Sequence, residues 1–185
     1  MKIQLVFDEI NALEGRIRRH FDEQGHIASR QDCEAVIDEM LDMFLLAYLY
    51  GAGDVRETFT TSEPTTDDVQ AVIYKHVDGA TWVDRVWTWF TTGGTIDDIM
   101  RIADTEAHRI YNEAAYDTAV RAGAVTKTWQ TMGDERVRDT HDYLQSTTVP
   151  IDAEFWTYDG DRAMAPGGFI LPENNINCRC WLTYS

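Results

Sequence analysis

The sequence predicts an α+β protein in which an N-terminal helical region precedes a long helix packed on a small antiparallel sheet. Apolar residues recur at helical spacing through residues 1–94. A capping-box pattern at Thr95 and Asp98 then opens a long helix, and short alternating segments rich in β-formers follow it. Gly93-Gly94 is the best boundary, so the chain divides into a helical region at 1–94 and a second region at 95–185.

Composition and charge exclude several classes of protein. With 185 residues, 44% of them apolar and 11% aromatic, the chain suits one or two small domains with packed cores, which excludes global disorder. Sixteen basic against thirty-two acidic residues give a net charge of −16. Because such a surface repels phosphate, we expect weak or no binding to duplex DNA.

The cysteines and the most apolar stretch bear on the compartment. Cys33, Cys178 and Cys180 are too few for a disulfide framework, and two cysteines separated by one residue rarely pair, so we expect a reducing compartment. The most apolar stretch, residues 40–50, contains Asp42 and is far too short to span a bilayer. The first residues lack the layout of a signal peptide. We expect no membrane partner.

The helical region begins with two predicted helices. Apolar residues at helical spacing between positions 6 and 17 predict the first, which Gly25 ends. Ser29 with Asp32 has the pattern of an N-terminal cap for the second. The second helix carries a wide apolar stripe, and Gly51 is expected to stop it. The stripe consists of Val36, Ile37, Met40, Leu41, Phe44, Leu45 and Tyr48.

A loop and two further elements complete this region. The Thr- and Ser-rich stretch at 56–64 is predicted to be a loop, and Thr66 starts a helix that continues to Val77. The segment 82–90 forms either a short helix or a strand, because period alone does not distinguish short apolar runs. The stripe and this segment exceed what a small bundle of short helices easily hides, so we expect the helical region to contact a protein partner.

The second region is predicted to begin with its long helix. Apolar residues continue at helical spacing from 96 to 114, and Gly123 sits where a glycine commonly ends a helix. The segment AVTKTWQT has the alternation of a strand. A short helix is expected at 133–144. Two further strands are expected in FWTYDG and CRCWLTY, with Asp159-Gly160 as a turn.

The predicted short helix carries the first set of chemically active side chains. Its inward face consists of Asp134, Val137, His141 and Leu144. Arg138 is placed to pair with Asp134 along the helix, and Arg136 with Asp139. A buried imidazole at His141 needs a partner, which is a carboxylate, a backbone carbonyl or a metal.

Cys178 and Cys180 add two sulfur atoms. In a strand, residues two apart point to the same face, which leaves Arg179 on the opposite face. Two thiolates with the imidazole of His141 make three ligands of a tetrahedral zinc site, and no fourth is evident. The residues that could complete it, besides water, are Asp134, Asp139 and His108. In the alternative interpretation the cysteines are small buried hydrophobes and His141 is a hydrogen-bonded core histidine.

The pattern does not fit two classes of enzyme that use cysteine and histidine. A zinc deaminase needs H-x-E with P-C-x-x-C, whereas Asp142 and Tyr143 follow His141 and one residue separates the cysteines. A Cys–His nucleophile needs an exposed thiol of lowered pKa, whereas the pattern places Cys178 and Cys180 in a core strand. We therefore predict no catalytic residue and no enzyme.

The remaining polar and aromatic residues have structural interpretations. A second face of the long helix, expected to be solvated, consists of Thr105, Arg109, Asn112 and Tyr116. Glu106 is placed to reach the arginine of that face or Arg136. Trp129 and Trp181 are expected to pack together between strand and long helix. Asn177 is expected to close a loop before the last strand, because asparagine often hydrogen-bonds nearby backbone.

Taken in order, these residues resemble the C-terminal domain of the phage Mu F-like minor head proteins, the phage head morphogenesis family. The resemblance covers about residues 95–185, half of the chain. The matching residues are Thr105, Glu106, Asn112, Trp129, Asp134, Arg136, Arg138, His141, Pro166, Gly167, Asn177, Cys178, Arg179 and Cys180. One departure is that the family often has a glycine a few residues after the histidine, where this chain has Gln145-Ser146-Thr147.

The resemblance implies a minor capsid protein of a tailed phage or prophage, with a structural role in head assembly or genome delivery. It implies a location in the phage head, synthesis in the bacterial host cytoplasm, and the portal or major capsid protein as partner, contacted through residues 1–94. Because Mu F-like domains also occur in toxin-like architectures, the alternative is a metal- or thiol-dependent enzyme. No cofactor is expected, unless zinc binds at His141, Cys178 and Cys180.

Overall fold

The computed structural model describes residues 2–185 and confirms the α+β class, with a helical N-terminal region, a long helix and a small antiparallel sheet. The helices before the sheet are α1 (Ile3–Ile17), a 3-10 helix (Arg18–His20), α2 (Arg30–Arg56), α3 (Thr66–Ile73), α4 (Trp82–Thr92) and α5 (Ile96–Arg121). The later elements are β1 (Thr126–Thr131), α6 (Asp139–Asp142), β2 (Thr148–Pro150), β3 (Phe155–Trp156), β4 (Arg162–Ala163), α7 (Pro172–Asn175) and β5 (Cys180–Tyr184). Across residues 2–185, no helix has both the length and the apolar character that crossing a membrane requires.

Side-chain caps start the helices where the sequence predicts them. The Ser29 hydroxyl accepts a hydrogen bond from the backbone N–H of Asp32 at 3.1 Å, which caps α2. Capping boxes at Thr65, Thr81 and Thr95 open α3, α4 and α5. The segment 82–90, which periodicity alone leaves open between helix and strand, is helical, because the capping box at Thr81 stands directly before it.

The expected stop of α2 at Gly51 is wrong, because this helix continues to Arg56. Gly51 lies where α2 packs against α5, and a Cβ atom at this position would stand 2.1 Å from the carbonyl oxygen of Tyr111. The missing side chain lets the two backbones approach closely. This glycine therefore marks a helix–helix contact rather than a helix end.

The apolar stripe of α2 is mostly buried inside the protein. Met40 and Phe44 are fully buried in what we call the helical core, formed by residues of α1 to α5 together with Ile27. Trp82 of α4 meets Phe44 edge-on with ring centroids 4.9 Å apart. The expectation of a large uncovered apolar surface is thus wrong, because the long α5 covers much of it. Leu45 and Leu49 stay exposed, at 38% and 56%.

Three antiparallel strands form the main sheet in the order β2-β1-β5. Trp129 pairs with Leu182, and Gln130 pairs with Trp181. Because paired residues share a face and neighbours alternate, Trp129 and Trp181 lie on opposite faces, so their predicted mutual packing is wrong. Trp129 belongs to what we call the second core, whose other members are Leu144, Phe155, Ala163, Ala165, Phe169, Cys178, Cys180 and Leu182.

The predicted short helix at 133–144 is largely wrong, because only Asp139–Asp142 is α-helical. Gly133 has a φ of 66°, a left-handed conformation that a helix does not continue. The Asp134 carboxylate then accepts the backbone N–H of Arg136 at 3.1 Å, which stabilises a local turn. Asp134 and His141 therefore do not share a helix face.

Helix α5 connects the two regions of the chain. Its Ile110 and Ala114 lie in the helical core, and its Tyr116 packs against the second core. Ala119 contributes to a smaller cluster with Val55 of α2. The division of the chain at 94 and 95 stays a prediction.

Candidate functional site

Cys178, Cys180 and His141 meet in the second core, and we call them the thiol–histidine cluster. Both sulfur atoms lie 3.5 Å from Nδ1 of His141. All three residues are at most 1% exposed. The imidazole stacks on Phe169 at 5.0 Å and meets Trp129 edge-on at 5.8 Å. The two thiols do point to the same side, as the sequence predicts, although β5 begins only at Cys180.

The chain before β5 is shaped by Asn177 and Arg138. Asn177 has a φ of 52°, in the left-handed region that asparagine tolerates better than most residues. Its role is this backbone conformation, and no hydrogen bond of its side chain is seen within residues 2–185. The guanidinium of Arg138 donates to the carbonyl of Ile176 rather than pairing with Asp134, which corrects the predicted ion pair. This hydrogen bond holds the turn that precedes Cys178 against the start of α6.

Arg179 points away from the thiols and joins the outer side of the same turn. Its Nε donates to the Asp134 carboxylate at 2.9 Å, and its guanidinium lies 5.0 Å from the centre of the Phe7 ring. This ion pair holds the pKa of the Asp134 carboxyl below its usual value. Arg136 is exposed, and its predicted pair with Asp139 is not among the contacts of residues 2–185.

Two residues of α5 hold the backbone at the cluster. Nε2 of His108 donates to the carbonyl oxygen of Cys180 at 2.6 Å, and Nδ2 of Asn112 donates to the same oxygen at 3.2 Å. Among the buried polar atoms around the thiol–histidine cluster and on the neighbouring face of α5, four have no hydrogen-bond partner within residues 2–185. These atoms are His108 Nδ1, Asn112 Oδ1, Thr105 Oγ1 and His141 Nε2. The thiol–histidine cluster is thus closed to solvent, and several polar groups around it lack hydrogen-bond partners.

The two thiols differ in their acidity. Burial raises the pKa of both Cys178 and Cys180. For Cys178, the hydrogen bond from Cys180 and the nearby rings of His108 and His141 outweigh burial, so its pKa lies well below the ordinary value. For Cys180, burial and the neighbouring sulfur act in the same direction, so its pKa is strongly raised. One of the two protons is therefore lost far more easily than the other.

The face of α5 that the sequence predicts to be solvated is instead largely buried, and its Arg109 belongs to an ion network. Arg109 is 5% exposed, and its guanidinium contacts Glu106 at 2.8 Å, Glu113 at 2.8 Å and the Val72 carbonyl at 3.0 Å. Glu106 also pairs with Arg85 of α4. Of its two expected partners, Glu106 thus reaches Arg109 and not Arg136. The network joins α3 and α4 to α5.

The Pro166-Gly167 pair covers this network. A Cβ atom at Gly167 would stand 3.0 Å from the Cα of Arg109, and the φ of 84° also favours glycine there. An open cleft of about 600 Å³ lies beside this contact and is lined by residues of α5, the 75–77 segment and the 162–170 segment. The thiol–histidine cluster does not line it.

Two structural residues escape sequence reasoning. The buried Asp161 carboxylate accepts hydrogen bonds from the backbone of Arg162, Ile170 and Leu171 and from the side chain of Asn174. Buried Lys127 donates to the Met164 carbonyl at 2.7 Å, and burial lowers its pKa to about 8. The sequence does contain a signal for Lys127, because this lysine occupies an inward position of the alternating AVTKTWQT strand.

Comparisons with known proteins identify the surrounding domain. The family described as Phage Mu protein F like protein matches residues 86–183. The NAD(+)–arginine ADP-ribosyltransferase EFV of Enterococcus faecalis is 33% identical over 98 residues, which are 51% of this chain and 20% of that protein. Minor head protein GP7 of Bacillus phage SPP1 is 31% identical over 85 residues, which are 44% of this chain and 28% of that protein. The chain therefore spans less than a third of either relative, and no solved structure gives a significant match.

The extent of the family match shows to which family the chain belongs. It covers more than half of the chain and contains every residue of the ordered motif from Thr105 to Cys180. The motif residues also meet in space, around the turn before β5 and along α5. The chain belongs to the Phage Mu protein F like family.

Proposed function

We propose that this protein is a minor head protein of a tailed phage or prophage, with a structural role in head assembly or genome delivery. The family match and the likeness to a phage minor head protein support a phage head protein. The observation that carries the structural role is the burial of the thiol–histidine cluster. Its thiols and its imidazole are at most 1% exposed, so no substrate-sized molecule reaches them in this conformation.

A thiol- or metal-dependent enzyme is the weaker alternative. A catalytic thiol needs an accessible position, and Cys178 and Cys180 do not line the cleft beside α5. The relative named as an ADP-ribosyltransferase shares only 20% of its length with this chain. Most of that protein lies outside the similarity, so we assign no transferase activity to this chain.

The proposed partner is the portal or major capsid protein, and two exposed apolar surfaces are suited to the contact. The first surface is Leu45 with Leu49 on α2, within residues 1–94. The second consists of Tyr143, Trp156 and Tyr158, which are 63%, 53% and 61% exposed. Large exposed apolar side chains that lie together commonly mark protein contacts. The net charge of −16 argues against a role in gripping duplex DNA.

Quantitative mass spectrometry of purified phage particles tests the proposal. After synthesis in the host cytoplasm, the chain is expected in proheads and mature heads, in few copies relative to the major capsid protein. In a phage lacking its own copy, the wild-type chain supplied from a plasmid restores incorporation. The variants Leu49→Ser and Trp156→Ser each change one of the two exposed surfaces. The variant that alters the contacting surface should no longer be incorporated into heads.

A matched control separates loss of contact from loss of folding. Tyr74 is 40% exposed and belongs to neither surface, so Tyr74→Ser should leave incorporation unchanged. Circular dichroism checks that each variant is folded. Absence of the chain from proheads and mature heads alike would refute the proposal. Efficient retardation of duplex DNA by the purified chain at moderate salt would refute the expected lack of DNA binding.

A further inference from the structure

A single buried nitrogen faces two thiols in the thiol–histidine cluster. Nδ1 of His141 lies 3.5 Å from the sulfur atoms of both Cys178 and Cys180. An unprotonated imidazole nitrogen has one lone pair and accepts one hydrogen bond, and a protonated one donates a single hydrogen. Hydrogen bonding therefore satisfies only one of the two contacts well.

The same distances match those around a tetrahedral metal ion. With zinc–sulfur bonds of about 2.3 Å, zinc–nitrogen bonds of about 2.0–2.1 Å and tetrahedral angles, sulfur and nitrogen ligands are about 3.5–3.6 Å apart. Both observed separations are 3.5 Å, and the three ligand atoms all lie within 4.8 Å of one another. The side chains already stand where an ion needs them.

We propose that His141, Cys178 and Cys180 bind a soft, thiolate-binding cation, with zinc as the first ion to test. Binding of Zn²⁺ displaces one proton from each thiol, and the two thiolates with a neutral imidazole leave the site without net charge. A neutral site tolerates burial, which suits residues that are at most 1% exposed. Copper(I) prefers the same soft ligands and belongs to the same class.

The fourth coordination position is left to a small exogenous ligand. Within residues 2–185, no further cysteine, histidine or carboxylate joins the cluster. Two of the fourth ligands expected from the sequence are engaged elsewhere, since Asp134 pairs with Arg179 and His108 donates to the Cys180 carbonyl. A water molecule is the usual fourth ligand where a protein supplies three.

The ion would connect segments that are far apart in the chain. His141 lies on α6, and the sulfurs stand 37 and 39 residues later, just before β5 and at its first residue. Because the three ligands converge only in the folded chain, bound metal stabilises the folded state over the unfolded one. The inference is independent of the proposed role in the phage head.

Metal analysis of the full-length chain tests this proposal. The protein is purified under reducing conditions without chelator, incubated with zinc and dialysed, and one zinc per chain is expected. Co²⁺ in place of zinc should give a thiolate-to-metal charge-transfer absorption. Cys178→Ala and Cys180→Ala should weaken binding by more than about tenfold. Cys33→Ala is the matched control, because Cys33 is equally buried but lies in the helical core, and its binding should be unchanged.

A stability measurement keeps the test decisive if the ligand variants fail to fold. A chelator should lower the melting temperature of the wild-type chain and of Cys33→Ala by the same amount. One copper(I) per chain instead of zinc also supports the site. The proposal is overturned if neither ion binds at one per chain, if the chelator leaves the melting temperature unchanged, or if fresh protein contains a Cys178–Cys180 disulfide.

Discussion

Replacing Gly51 by alanine should separate two helices that the fold holds in backbone contact. The added Cβ atom would stand 2.1 Å from the Tyr111 carbonyl oxygen and 2.9 Å from its carbon, whereas ordinary contact begins at 3.4 Å. Helices α2 and α5 must therefore move apart locally by about 1.3 Å, since 3.4 minus 2.1 is 1.3. A gap of this size forfeits much of the dispersion attraction along the interface.

The expected magnitude is the difference between two effects. Overpacking in a well-filled core costs about 1–3 kcal/mol, and the obstacle here is backbone, which yields less than a side chain. In the opposite direction, alanine has a higher helix propensity than glycine, which stabilises the helix by about 1 kcal/mol. With the overpacking cost at its upper end of about 3 kcal/mol, we expect Gly51→Ala to lower the free energy of unfolding by about 2 kcal/mol and the melting temperature by about 4–8 °C.

Gly15 provides the matched control, because it also lies inside a helix but an added Cβ atom meets nothing within 4 Å. Gly15→Ala should raise the free energy of unfolding by about 0.5–1 kcal/mol. Urea and thermal denaturation, followed by circular dichroism at 222 nm as a backbone signal, measure both variants. The close-contact argument is refuted if Gly51→Ala is as stable as the wild type or shares the gain of Gly15→Ala.

Three further predictions concern the second region. Asn177→Gly should keep stability, whereas Asn177→Val should cost about 1–2 kcal/mol in chemical denaturation, because valine resists the φ of 52°. Burial raises the pKa of Asp161, but its hydrogen bonds outweigh burial and lower it below 3.8, so its stabilisation is present above that pH and is lost as pH falls further. The stability gap between wild type and Asp161→Asn should therefore shrink below pH 3.8, and a constant gap contradicts this. Arg109→Met should cost about 3–5 kcal/mol because it removes the buried cation that bonds Glu106, Glu113 and the Val72 carbonyl. Lys75→Met, half-exposed on the same network, should cost less than about 1 kcal/mol, and equal costs contradict the burial argument.

The elements that the sequence predicts well depend on local physics. The capping pattern at Thr95 and Asp98 opens α5 as expected, because both partners lie within one helical turn. Cys178 and Cys180 meet His141 as predicted, although for a partly different reason. The backbone turn at Asn177, rather than a regular strand, orients the Cys178 side chain toward His141.

The misses come from contacts between distant parts of the chain. Gly51 looks like a helix stop until Tyr111 of α5 stands against it. Arg109 looks solvated on a helical wheel, but the Val72 carbonyl of α3 and the Pro166-Gly167 segment, which comes much later in the chain, both contact it. The expected helix before His141 fails because the Asp134 side chain bonds nearby backbone and Arg179 instead. No local pattern contains these partners.

The motif residues contact partners that are far away in the sequence, and this explains why the motif is rich in arginine. Arg138 donates to Ile176 across 38 residues, and Arg179 pairs with Asp134 across 45. The Cys180 carbonyl is held from α5, 72 residues earlier. Arginine suits such positions because one guanidinium bonds several acceptors at once. His108, Arg138 and Arg179 fasten the end of the chain to earlier segments, and their hydrogen-bond donors named here are engaged within the protein. That arrangement favours a structural role for the motif over a catalytic one, since catalysis requires donors left free for a substrate.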